Sequence, residues 1–106
     1  MTKKQLFYLR VRQTQQEYLV TVCDKELLGK TVSEGELELF VNDRFFGGDL
    51  VPIEKCLKQM RIASSFNLIG KGIVDAAIEK RMVNELAVMW INCKDNGKVG
   101  HVMFLR

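Results

Sequence analysis

Strand-like runs near both ends of the chain, with helical stripes between them, predict an α+β fold. The expected architecture is a two-layer α/β sandwich, with an antiparallel-rich sheet of about five strands and two helices packed on one face. Three observations carry this. Residues 5–12, "QLFYLRVR", put Phe7, Leu9 and Val11 on one side and Tyr8, Arg10 and Arg12 on the other, the period of a strand. Ile53, Cys56, Leu57 and Met60 recur at i, i+3, i+4 and i+7, the stripe of a helix lying on a core. Asn96-Gly97 separates two apolar runs, a strong hairpin signal.

The elements follow in order. After the first strand, the polar "QTQQ" leads into "EYLVTVC", a second strand that closes a hairpin. Asp24 caps a single helical turn in "DKELLGK", and Gly29 ends it. Residues 36–41, "ELELFV", form a third strand with Leu37, Leu39 and Val41 facing inward. "NDRFFGGDL" is a loop, and Val51-Pro52 opens the first helix, because proline is tolerated in a first turn. A second helix covers about residues 69–82, with Ile69, Ile73, Ala76 and Ala77 as its core face. "LAVMWINC" and "VGHVMFL" are the last two strands. Their nearly continuous apolar runs suit strands covered on both faces, or one face used in association. The order β-β-β-α-α-β-β has no linker or low-complexity tract, so residues 1–106 read as a single domain.

A composition of 47% hydrophobic and 27% charged residues excludes a disordered chain. No apolar run is long enough to span a bilayer, and "MTKKQLFYLR" lacks the apolar stretch of a signal peptide. The chain therefore reads as cytoplasmic, with no membrane partner. A net charge of +3 permits an anionic partner without requiring one. Cys23, Cys56 and Cys93 are widely spaced, with no C-x-x-C pair, which argues for buried thiols and against a zinc knuckle.

Little in the pattern assembles a catalytic group. His101 with Cys23 or Cys93 lacks a third, orienting residue, and Glu36 and Glu38 read as a solvated strand face. The reading leans away from an enzyme, and no cofactor, metal or catalytic residue is assigned. "SSFNLIGKGIVDAA" raises the question of a phosphate cradle. A P-loop needs G-x-x-x-x-G-K-[ST], and here Gly72 follows Lys71 with no glycine at the upstream position. What remains is a helix start capped by Asn67, with free amides and Lys71 close by, where an anion could sit. The second route to a partner is the first strand. Arg10 and Arg12 share a face with Tyr8, Lys3 and Lys4 precede them, and Phe40 and Trp90 are candidates for the same face. Basic groups beside an aromatic suit single-stranded or loop RNA.

"VTVCDKELLGKTVSEGELEL", "FFGGDL" and "FNLIGKGIVDAAIEKRMV" together resemble the archaeal domain-of-unknown-function family 424. The "CD-x-ELLGK" turn, the "EG" turn, the "F-x-GG" loop and the "N-x-IG" segment come in that family's order. Near the end, Lys98-Val99-Gly100-His101-Val102 departs from the family's "G-V-P-H" tendency by lacking the proline. The resemblance implies a two-layer α/β fold and a cytoplasmic archaeal protein, with no established reaction. An association of such genes with translation turns the reading toward a non-enzymatic RNA-binding or ribosome-associated protein of the archaeal translation apparatus. Arg10, Arg12, Lys30, Arg44, Asn67 and Lys71 are its candidate anion- and RNA-binding residues. The alternative is a small enzyme or ligand-binding protein with an anion pocket at the glycine-marked loops, lined by Phe45, Phe46 and Phe66 beside Lys71. Self-association through the last hairpin is a third expectation.

Overall fold

The computed structural model describes residues 5–106, so Lys3 and Lys4 lie outside the described residues. The chain runs β1 (Leu6–Gln13), β2 (Tyr18–Asp24), a short 3-10 turn (Lys25–Leu27), β3 (Thr31–Glu34), β4 (Leu37–Phe40) and α1 (Asp43–Phe46). It continues with β5 (Asp49–Pro52), α2 (Ile53–Ile62), β6 (Ser65–Ile69) and α3 (Lys71–Glu79). A second 3-10 turn (Glu85–Ala87) leads to β7 (Met89–Cys93) and β8 (Gly97–Leu105). Six strands form one mixed sheet in the order β5-β1-β2-β6-β8-β7, and β3 with β4 forms a separate ribbon. The sheet thus has six strands where about five were expected.

Most of the predicted elements are present, and the differences have local causes. β6 occupies the stretch read as the start of the second helix, because Phe66 and Leu68 alternate with Ser65, Asn67 and Ile69 and suit the period of a strand. It pairs in parallel with β2 and antiparallel with β8, at the middle of the sheet. The expected third strand pairs only with β3, so Leu37 is exposed, Leu39 is half-buried and Val41 is buried just beyond the strand end. "NDRFFGGDL" contains one helical turn, α1, whose first amides Asn42 caps: its side chain accepts from the Arg44 amide. Pro52 ends β5, which an edge strand tolerates because it needs no donor there, and is also the N-cap from which α2 starts at Ile53.

The sheet divides the core in two. On one face α2 and α3 lay Cys56, Leu57, Met60, Ile73, Val74 and Ala77 against Phe7, Val20, Val22, Phe66, Leu68 and Val102. Ile69, expected on the core face of the second helix, points to the other side. There it joins Cys23, Ile91, Cys93 and Val99 under Leu27, Val32, Val41 and Phe46 from the first 3-10 turn, the ribbon and α1. Both helices therefore cover one face of the sheet. The other is covered only in part.

Candidate nucleic-acid interface

Strand register defines the partly covered face. Residues directly paired across neighbouring strands project to the same side, so each register line is a row on one surface. One row runs Tyr8, Cys23, Ile69, His101, Met89. The next runs Arg10, Thr21, Asn67, Met103, and the third Arg12, Leu19, Ser65, Leu105. At about 4.8 Å per strand, the second row spans roughly 14 Å from Arg10 to Met103. No member of the three rows carries a carboxylate. α1 sits over the β1–β2 side, where Thr21 is buried and donates from Oγ1 to the Phe45 carbonyl at 3.0 Å. The β6–β8 side is open, with Met103 70% and Leu105 83% exposed.

The arginines of β1 form the rim of this surface. The Arg10 and Arg12 guanidiniums both donate to the Arg44 carbonyl, Arg12 at 2.6 Å, and Arg12 also reaches the Phe45 carbonyl at 3.3 Å. These contacts satisfy carbonyls that end the single turn of α1. The Arg12 guanidinium lies 5.3 Å from the centroid of the Phe45 ring. Arg44 projects from the same turn and is exposed. Three cations and one aromatic ring are thereby gathered beside the open rows.

The polar centre is Asn67 with His101. The His101 Nε2 lies 3.0 Å from Asn67 Oδ1, both side chains half-buried. Burial lowers the imidazole pKa and favours the neutral ring. With Nε2 carrying its hydrogen, the ring donates to Oδ1 and keeps Nδ1 as an acceptor, while the Asn67 amide nitrogen keeps its donors. This pair offers both donors and acceptors on the open surface. His101 lies two strands from Cys23 in the same row, roughly 10 Å by strand spacing, so no thiol–imidazole pair forms. Burial, with Asp24 and Glu26 nearby, pushes the Cys23 thiol up to about 12, which keeps it protonated.

The amino terminus of α3 departs from expectation. Asn67 does not cap it, being inside β6 on the open face. Asp24, at the end of β2, caps it from 48 residues away: its carboxylate accepts from Gly72 N at 2.8 Å and Ile73 N at 2.9 Å. The amides that a bound anion would use already hold a carboxylate that is 2% exposed. Lys71 is turned to Asp75 in an ion pair of 2.6 Å. The glycines of "IGKG" make room for this arrangement. Gly70 has φ +129, and a Cβ there would overlap the Asp24 carboxyl; one on Gly72 would come within 2.5 Å of Gln5 Nε2. Gly70→Ala is therefore expected to cost about 2 kcal/mol or more, from backbone strain and a displaced cap. Urea unfolding of that variant measures the cost.

Of the six sequence-predicted site residues, the fold brings Arg10, Arg12, Arg44 and Asn67 to one side of the sheet. Lys71 stands at the α3 start instead, and Lys30 is exposed on the connection into the ribbon. The three-ring pocket does not assemble, because Phe66 faces the helices while Phe45 and Phe46 belong to the opposite face. Trp90 also faces the helix side, packed on that core with Lys98 4.5 Å from its ring centroid, and Phe40 is on the ribbon. Sequence reasoning missed Asp24 as a long-range cap and the Asn67–His101 pair, since neither leaves a local spacing signal.

The class defined by these observations is an α+β protein built on a six-stranded mixed sheet, with helices on one face and a partly open second face. The chain belongs to the family described as "Protein of unknown function (DUF424)", which matches residues 11–102. Its structure is similar to one described as "Crystal structure of an uncharacterized conserved protein from Methanopyrus kandleri", with a TM-score of 0.71 and 18% sequence identity. That likeness covers 93% of this chain and 90% of the other, and it concerns the fold. No curated protein matches the chain. Among the described residues, no helix is long and apolar enough to cross a membrane.

Proposed function

We propose that this chain is a non-enzymatic RNA-binding protein that takes a single-stranded or loop segment across the open face of its sheet. The observation that carries the reading is the gathering of Arg10, Arg12, Arg44 and Phe45 beside rows that hold Asn67, His101, Met103 and Leu105 without a carboxylate. In this reading the arginine rim attracts phosphate, Asn67 and His101 hydrogen-bond base edges, and the exposed Met103 and Leu105 pack against bases. The ribosome is the expected setting, as the family resemblance suggests.

Fluorescence anisotropy with a labelled single-stranded RNA tests this. Affinity is expected to fall steeply between 50 and 200 mM salt, as counterion release requires. Arg44→Glu and Met103→Glu each alter an exposed side chain and are expected to weaken binding by about tenfold, since each places a negative charge against phosphate. Binding that ignores salt and both substitutions contradicts the proposal. A second reading, self-association through the last hairpin, is favoured by the exposed Leu86, Met89, Met103 and Leu105. Light scattering after size exclusion separates the two: a dimer that Met103→Glu dissociates supports association.

A further inference from the structure

The arginines left out of the sheet-face reading converge elsewhere. A cavity of about 440 Å³ is lined by Arg61, Phe66, Arg81, Met82, Phe104 and Arg106. A second, of about 460 Å³, shares Arg81, Met82 and Phe104 with it and continues past Ile78 and Val83. Together they form one groove between the ends of α2, α3 and β8, on the helix side of the sheet. No Asp or Glu side chain lines either cavity. Three arginines line the first cavity, and an anion bound there would offset their like charge.

Arg106 is held in place by the fold. Arg106 donates from Nη2 to the Arg61 carbonyl at 3.0 Å and the Met60 carbonyl at 3.4 Å, closing the end of α2. Its guanidinium lies 5.4 Å from the Phe104 centroid, and Phe104 stacks in turn on Phe66 at 4.8 Å, with the rings 20° apart. A guanidinium beside stacked aromatic rings is the kind of surface on which nucleic-acid bases stack. Arg81 just follows α3 with φ 59, the one non-glycine residue with positive φ among the described residues. Its amide bonds the Ile78 carbonyl at 3.0 Å, and the Met82 amide bonds the Ala77 carbonyl at 2.8 Å. Glycine or asparagine would meet that backbone at lower cost. An arginine is there instead, at the point the two cavities share. An unfavourable residue in that position directs attention to its side chain.

We infer that this groove binds a phosphomonoester carrying a nucleobase, with Arg61 and Arg81 on the phosphate, the base over the Arg106–Phe104 stack and the sugar against Met82. Two sources supply that chemistry, a free mononucleotide and the 5′-phosphorylated end of an RNA. The groove lies on the helix side of the sheet, and of the open-row residues only Met103 also borders it, so its arginines are separate from those of the function proposed above.

Calorimetric titration with AMP, adenosine and inorganic phosphate, with a 5′-phosphorylated and a 5′-hydroxyl RNA oligonucleotide alongside, tests the inference. Arg61→Gln with Arg81→Asn removes both charges, and asparagine suits the backbone at 81, so the thermal unfolding of the double variant should match the parent. AMP is expected to bind at least tenfold more tightly than adenosine or phosphate alone, and the double variant to weaken it at least tenfold. Arg81→Lys, which keeps the charge and loses the planar fork, should fall between. If the phosphorylated oligonucleotide outbinds its hydroxyl counterpart in the parent but not in the double variant, the ligand is an RNA end. If AMP binds and the two oligonucleotides bind alike, it is a free nucleotide. The inference is overturned if the double variant binds AMP as the parent does, if adenosine or phosphate binds as tightly as AMP, or if neither AMP nor the 5′-phosphate contributes any binding. Equal binding of both oligonucleotides with no AMP binding would overturn the groove site and leave the sheet-face reading intact.

Discussion

Asp24→Ala is expected to destabilise the protein by about 3 kcal/mol at neutral pH, and so to lower its melting temperature by roughly 13 °C. The Asp24 carboxylate satisfies the amides of Gly72 and Ile73 at the start of α3, in a place where water does not easily replace it. Alanine leaves both amides without an acceptor and empties the space that Gly70 and Gly72 keep open for the carboxyl. Asp24→Asn should cost less, since the amide oxygen can still accept one of the two bonds.

The pH dependence of this effect has a definite sign. Burial raises the Asp24 carboxyl to about 6, against the opposing pull of the Gly72 and Ile73 hydrogen bonds, with Glu26 and Asp75 adding to the rise. Its value in the unfolded chain is close to 3.9. Between those limits the folded state holds the proton more firmly, so the contribution of Asp24 to stability is largest below about pH 4 and declines as pH rises to 6. The stability gap between the parent and Asp24→Ala should therefore widen by about 2 kcal/mol on acidification from pH 6 to pH 4. Urea melts at pH 4, 5, 6 and 7 measure it. A gap that narrows on acidification would mean that the two amides outweigh burial.

At neutral pH Phe66→Ala is expected to have the largest effect on stability, about 4 kcal/mol. The ring is 2% exposed in the central strand β6 and stacks on Phe104, so truncation opens a cavity beneath α2 and removes an aromatic contact. Chemical denaturation gives the value. A cost below about 1 kcal/mol would be incompatible with a buried ring at the middle of the sheet.

These two residues mark what the sequence conveyed and what it did not. The hairpin of β1 and β2, the buried stripe of α2 and the last hairpin were legible because each signal is local: alternation, a 3.6-residue repeat and Asn-Gly. β6 was not, because "SSFNLIGKG" carries cap-like and glycine residues just where a five-residue strand ends and a helix begins. Two neighbouring signals in so short a span read as one helix start. The cap of α3 was out of reach for another reason. Asp24 and Gly72 are distant in sequence, and only the parallel pairing of β2 with β6 brings the end of one beside the helix that follows the other. Strand order also decided the candidate site. It aligned Arg10 with Asn67 and Met103, and it turned Trp90 to the helices, neither of which follows from the strands taken singly. Arg61, Arg81 and Arg106 had no shared spacing to connect them.

The central claim concerns the open sheet face, and backbone amide shifts recorded during titration with a single-stranded RNA test it most directly. The account predicts changes concentrated at Asn67, His101, Met103 and Leu105 and at the Arg44–Phe45 turn, diminishing as salt rises. Changes confined to α2 and the α2-facing side of the sheet, or none at low salt, would contradict it.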